Sequence, residues 1–165
     1  MLACYTDRLS VRPGERFDLH ATAAQGPCRL SIARVGADRR EVLAVEGVVL
    51  GAHPVPPNAD RDGCGWPAAL EVEVGADWAS GYYDIVLADA AGSEAHHFVV
   101  VKPPVGVRRS SALMVLATNT YQSYNYWGGA TISGGNGRWV ERTPIASSIA
   151  CANGTWPLIR PVTLE

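Results

Sequence analysis

Phe17-Asp18-Leu19-His20-Ala21-Thr22-Ala23 alternates apolar and polar side chains without a break. A period of two is what a strand with one dry and one wet face requires, because successive side chains leave the backbone on opposite sides. The pattern recurs along the chain. Cys28, Leu30 and Ile32 alternate with Arg29 and Ser31 up to Val35, after which Gly36-Ala37-Asp38 turns the chain toward Glu41–Leu50. Leu70, Val72 and Val74 oppose Glu71 and Glu73; Tyr83, Ile85 and Leu87 oppose Tyr82, Asp84 and Val86; Phe98–Val101 ends the series before Pro103-Pro104. A first strand closes at Val11, ahead of Pro13-Gly14. The intervening stretch HPVPPNADRDGCGWP, residues 53–67, is too rich in Pro, Gly and Asp to form a regular element. Seven short strands in about ninety-five residues predict an antiparallel, immunoglobulin-like β-sandwich over residues 1–104.

Composition narrows the function. With 165 residues, 47% of them hydrophobic, the chain can bury the core of one large or two small domains. A net charge of −2 with no cluster of Lys and Arg leaves no electrostatic footprint for nucleic acid or an anionic membrane, so neither is expected as a partner. Residues 1–104 carry nine basic and fourteen acidic side chains, net −5, and residues 105–165 carry five and two, net +3, which places a domain boundary near Pro103-Pro104. The first ten residues, MLACYTDRLS, have no basic segment followed by an apolar one, and no eighteen apolar residues run together, so a soluble, cytoplasmic protein is expected. Arg outnumbers Lys thirteen to one, which points to a GC-rich bacterial genome. Cys4, Cys28, Cys64 and Cys151 are scattered with no C-x-x-C pair and no His at ligand spacing, predicting four reduced thiols rather than a zinc site or a disulfide scaffold.

Past Pro104 the pattern changes. Ala112–Ala117 (ALMVLA) is continuously apolar, as a strand buried on both faces of a parallel sheet would be, and it runs directly into Thr118-Asn119-Thr120-Tyr121-Gln122-Ser123-Tyr124-Asn125-Tyr126-Trp127. Ligands of such sheets gather beyond the carboxyl ends of the strands, which is where these polar-tipped aromatics stand. Glycine-rich GGATISGGNGR follows, and the remaining residues show no helical period. An α/β layer needs several strands with crossover helices, so residues 105–165 read as an incomplete start of one.

Other motifs point to no chemistry. His96 and His97 are neighbours on a strand and face opposite ways, so they cannot share a metal. Asp60 and Asp62 lack the closing glutamate of a calcium loop and read as a solvated turn. Gly129–Gly135 has glycines spaced like a phosphate-binding loop, but Gly135-Asn136 stands where Lys and Ser or Thr belong. No G-x-S-x-G or H-E-x-x-H occurs, and Cys151 has no base nearby in sequence. Asn153-Gly154-Thr155 matches a glycosylation sequon, which carries no weight without a secretory signal. The aromatic stretch remains, and its residues allow three uses: a hydrophobic plug between domains, a sugar-stacking platform, or a site.

The aromatic stretch resembles the large subunit of the N,N-dimethylformamidase family, in which an apolar strand precedes Thr-Asn-Thr, an aromatic, two residues, Tyr-Asn, one residue and Trp-Gly-Gly. Here the motif runs from Thr118 to Gly129, and DRLSVRPGE, GCGWP, DWASGYYDIVLAD and FVVVKPP precede it in the family's order, so the resemblance covers residues 5 to about 130. It implies a β-sandwich beside an α/β catalytic domain whose iron, held by two tyrosines and a glutamate, serves hydrolysis of a small amide to formate and an amine. A phenolate is a hard oxygen donor suited to ferric iron. Tyr124 matches one ligating tyrosine; Tyr121 is a poorer match, since Trp occurs at its place in related sequences; Asn119 and Asn125 match positions able to orient water or the carbonyl. The second tyrosine and the glutamate have no counterpart here, because Glu141 and Glu165 occupy no family motif. The expectation is a chain inactive alone, binding iron and a small amide only if other chains complete the site. The rival expectation is a non-catalytic binding or assembly module, as a homo- or hetero-oligomer, with the aromatic stretch as its docking surface. An incomplete α/β layer is further expected to leave Leu113, Val115 and Leu116 without a covering sheet, as an apolar patch.

Overall fold

The break in the first strand sets the architecture. In the computed structural model, which describes residues 1–24, 26–57, 59–107, 111, 113–118 and 120, the chain forms β1 (Ala3–Thr6), breaks, and resumes as β2 (Ser10–Val11). There follow β3 (Arg16–Thr22), β4 (Pro27–Val35), β5 (Arg39–Val49), a short helix α1 (Ala59–Asp62), β6 (Ala68–Glu73), β7 (Gly81–Asp89) and β8 (Glu94–Val101). A three-stranded sheet has the order β1-β3-β6 and a five-stranded sheet the order β2-β8-β7-β4-β5. The described residues thus hold eight strands where seven were expected, because one predicted strand is two.

Asp7 makes the division. Its Oδ1 accepts the Asp18 N–H at 2.8 Å and its own N–H donates to the Asp18 carbonyl, while the Thr6 hydroxyl donates to the Arg8 carbonyl. The backbone is bent there, so β1 pairs antiparallel with β3 while β2 crosses to lie parallel to β8, the one departure from the expected antiparallel pairing. Parallel bonding is carried by Val100 N–H to Leu9 O and Lys102 N–H to Val11 O, each 2.8 Å.

The alternation sorts side chains as the sequence predicts. Phe17, Leu19 and Ala21 of β3, Leu30 and Ile32 of β4, Tyr83, Ile85 and Leu87 of β7, and Val99 and Val101 of β8 are buried in one cluster, so the two sheets share a single core. Non-directional burial of this apolar area is the main stabilising term. Turns are fixed by their own chemistry. At Pro13-Gly14, Gly14 takes φ +83° and the Glu15 carboxylate accepts the Arg12 N–H, closing the corner ahead of β3. Between β7 and β8, Asp89 Oδ1 accepts N–H bonds from Ser93 and Ala91, which hold its carboxyl below the usual carboxylate range. The exposed edge β5 is interrupted twice in its register with β4 and carries Arg39, Arg40, Glu41 and Glu46, features that discourage another strand from adding to it.

Tyr83 anchors the corner leading into β7. Its ring is fully buried and stacked on Trp78 at 5.1 Å, and its hydroxyl donates to the Ala79 carbonyl at 2.6 Å. Burial pushes its phenol up, so it stays protonated and remains a donor. Tyr83→Phe leaves that carbonyl without a partner and is expected to cost about 1–2 kcal/mol in urea unfolding. Trp78→Ala, which also opens a cavity, should cost more, on the order of 3–5 kcal/mol. Equal and negligible losses in both variants would contradict this account of the corner.

Candidate functional site

The predicted site residues Asn119, Tyr124 and Asn125, with Tyr121, lie outside the described residues. The structure does describe how the chain approaches them. Leu113–Ala117 forms no strand, and Leu113, Met114 and Val115 are 89%, 69% and 80% exposed. This corrects the expectation of a strand buried on both faces. A strand is held by ladder bonds to a neighbour, and the run belongs to neither sheet. The apolar patch expected for an uncovered layer is therefore present at Leu113 and Val115. Immediately after it the backbone tightens, with Thr118 N–H donating to Leu116 O and Thr120 N–H to Ala117 O.

The two sheets hold several polar clusters, each of which is internally engaged. On the outer face of the five-stranded sheet Arg39 reaches from β5 across β4 to Asp84 of β7 at 3.4 Å, over the fully buried methyl of Ala33. His96 lies between Asp84 at 3.5 Å and Glu94 at 3.2 Å, and Arg29 links Glu46 and Glu41, the latter also accepting the Ser31 hydroxyl at 2.6 Å. That hydroxyl, followed by the Arg29 guanidinium, holds Glu41 below the usual carboxylate range. Exposed ion pairs of this kind contribute little to stability and leave no charge aimed at a ligand.

His97 faces the opposite way, as expected for adjacent strand residues. It is buried between the sheets, with Nε2 3.0 Å from the Thr6 hydroxyl oxygen. Because Thr6 gives its own proton to the Arg8 carbonyl, the imidazole is the donor, and Nε2 carries the hydrogen. Burial pushes the His97 pKa down to about 4.

A second small core occupies the outer face of the three-stranded sheet. Ala3, Tyr5, Ala59, Cys64 and Trp66 are buried there, with Val55 packed against them. Tyr5 stacks on His20 at 4.7 Å; His20 Nδ1 donates to the Trp66 carbonyl at 2.7 Å; Trp66 donates its N–H to the Tyr5 oxygen and its indole N–H to the Pro54 carbonyl. The loop read as irregular is thus folded over the sheet and contains α1, which replaces the expected turn at Asp60–Asp62. Sequence reasoning missed this cluster, although GCGWP placed an aromatic and a cysteine where a solvated loop has no use for them. Cys64 is disulfide-bonded, correcting the expectation of four reduced thiols; Cys4 and Cys28 are free and buried, and Cys151 lies outside the described residues. Spacing along a chain does not show which thiols meet in space.

The described residues do not fit an iron site of two phenolates and a carboxylate. No three His, Cys, Asp or Glu among them converge, and burial pushes the Tyr5 and Tyr83 phenols up, with both oxygens engaged by backbone groups. No described helix is long and apolar enough to cross a membrane. Compared with known families, residues 29–150 match a model described as N,N-dimethylformamidase beta subunit-like, C-terminal. The match begins inside β4 and continues through Pro103-Pro104 to take in the aromatic stretch. No curated protein matches the chain.

His97 gives the two sheets a measurable pH dependence. Unfolded, its imidazole takes up a proton below its ordinary 6.5, whereas folded it stays neutral down to about 4. The unfolded state therefore binds more protons between these values, and stability falls as pH is lowered through that window, by on the order of 3 kcal/mol. Urea unfolding at several pH values should show this slope in the wild type and a flatter one in His97→Gln. Parallel slopes would exclude the assignment.

Proposed function

The chain belongs to the N,N-dimethylformamidase beta subunit-like family, and we propose that it is the β-sandwich and the opening of the catalytic layer of an amidohydrolase acting on a small linear amide. The family match carries this reading, because one continuous stretch of it holds both β4–β8 and the motif Thr118–Gly129. The sandwich is immunoglobulin-like in this reading. Its support is the sheet order, the crossing of the first strand between sheets, and the tyrosine at the corner before β7 whose hydroxyl returns to the backbone four residues upstream. The boundary falls near Pro103-Pro104, after β8 ends at Val101.

Tyr124 is the matched phenolate donor for iron, with Asn119 and Asn125 beside it to orient water or the amide carbonyl. When bound, the metal would supply Lewis-acid polarisation of that carbonyl. One phenolate does not retain iron, so the site needs further ligands besides Tyr124. The two sheets contribute support in this reading, since no three metal-ligating side chains converge among the described residues. A second reading has its own observation: the described strands β1–β8 share one core, while Leu113–Val115 is exposed, as a binding or assembly module would be.

Metal and product analysis separates the two. With the remaining ligands supplied, the protein is expected to hold stoichiometric iron, show a tyrosinate-to-iron absorption band lost in Tyr124→Phe, and release formate from a small amide. A chain that binds its partner yet stays iron-free and inactive would overturn the enzymatic reading in favour of the module.

A further inference from the structure

His97 is buried where the chain changes sheets. Its Nε2 donates to the hydroxyl of Thr6, the last residue of β1, and that hydroxyl donates in turn to the Arg8 carbonyl inside the bend. The crossing, residues 6–11, is therefore bonded to the imidazole it helps to cover. We propose that this crossing is an acid-sensitive hinge, which lifts from β8 when His97 takes up a proton while the rest of the two sheets stays folded.

Three observations carry the proposal. First, no opposite charge faces His97 among the described residues. The titratable side chains of the shared core are Cys4 of β1, Cys28 of β4 and Tyr83 of β7, and burial pushes all three up, so they stay neutral. The inner face of β3 is Phe17, Leu19 and Ala21, and β2 contributes Val11. Tyr5 faces outward onto His20. Asp7 is engaged with the Asp18 N–H and with Arg8, and Asp84 lies on the outer face with Arg39 and His96. Burial alone, with no charged neighbour, pushes the His97 pKa down to about 4.

Second, the crossing is the most lightly held element beside His97. β2 has two residues and joins β8 through Val100 N–H to Leu9 O and Lys102 N–H to Val11 O, whereas β4 and β7 have nine residues each and are paired along both edges. Third, lifting the crossing reaches the imidazole directly, because Thr6 is its hydrogen-bond partner. A buried imidazolium without an opposite charge must either lose its proton or meet water, and the crossing is the shortest way to water. This inference rests on the buried pair at the crossing and not on the amidohydrolase reading, so iron and activity measurements leave it untouched.

Native-state hydrogen exchange of the 165-residue chain, resolved by residue at pH 7 and pH 5 and corrected for intrinsic rates, is the test. The window lies above the ordinary titration range of carboxylates. A lifted crossing gives His97 its ordinary 6.5 and the closed state about 4, so the lifted state binds more protons as pH falls. Protection of the Val100 and Lys102 amides is expected to drop about twentyfold from pH 7 to pH 5. Low urea should leave their exchange unchanged while it speeds exchange in β4 and β7, because a local opening exposes little surface. In His97→Gln their protection should be the same at both pH values. Urea dependence of Val100 and Lys102 equal to that of β4 and β7 would show that His97 is reached only by global unfolding, and would overturn the proposal. So would pH-independent protection in the wild type, or a drop that persists in His97→Gln. The wild-type measurements decide on their own should the variant not fold.

Discussion

Between Thr6 and Ser10 the backbone leaves one sheet and enters the other, and the carboxylate of Asp7, tied to the Asp18 N–H, holds the corner at which it does so. The remaining architecture depends on that bend. It lets a single N-terminal segment serve both layers, giving β1 to the edge of the smaller sheet and β2 to the edge of the larger one. It also brings Thr6 over His97, so a hydrogen-bonded polar pair is buried across the sheets. Val11, once across, is fully buried beside Val101 in the shared core. A strand continuing straight through Asp7 would leave the open flank of β8 without its parallel neighbour.

The inner faces were legible in the sequence because alternation is a local signal. Phe17, Leu19 and Ala21, or Tyr83, Ile85 and Leu87, announce a dry face whatever they come to pack against. The split of the first strand was not legible, since it depends on a side chain meeting a backbone group eleven residues away in a paired strand. The loop over residues 53–67 failed for the opposite reason. Its Pro, Gly and Asp content correctly excluded a long regular element but concealed Trp66 and Cys64, which fold it onto Tyr5 and His20. The motif holding Asn119, Tyr124 and Asn125 was legible only as a resemblance, because aromatic density by itself fits a plug as well as a site.

The continuous apolar run shows where a sequence rule needs its environment. ALMVLA lacks alternation, as a strand dry on both faces does, and a strand of that kind acquires its burial from neighbours on either side rather than from its own sequence. β7 meets the condition on one face only: β4 and β8 flank it and the opposing sheet covers Tyr83, Ile85 and Leu87, while Asp84 stands on the outer face. Leu113–Ala117 has no flanking strand among the described residues, and Leu113, Met114 and Val115 stand in water while Leu116 is half-buried. Strand propensity is therefore a statement about surroundings as much as about residues.

The described tyrosines clarify what a metal-binding tyrosine must avoid. Tyr5 and Tyr83 sit in apolar surroundings where forming a phenolate would require stripping the negative charge of its water, and burial accordingly raises both. Each oxygen is then used as a neutral hydrogen-bonding group, one accepting from Trp66 and the other donating to Ala79. A phenol in that state fixes structure and gives a cation nothing to bind. A ligating tyrosine needs a positive charge close by and an oxygen not already committed to the backbone. Inside the two-sheet unit Arg39 pairs with Asp84 and Arg29 with Glu46 on the outer faces, and the pull of Arg34 and Arg40 on the Tyr83 phenol is outweighed by its burial. Three of the six tyrosines, Tyr121, Tyr124 and Tyr126, stand after Pro104, where the net charge of the sequence turns positive.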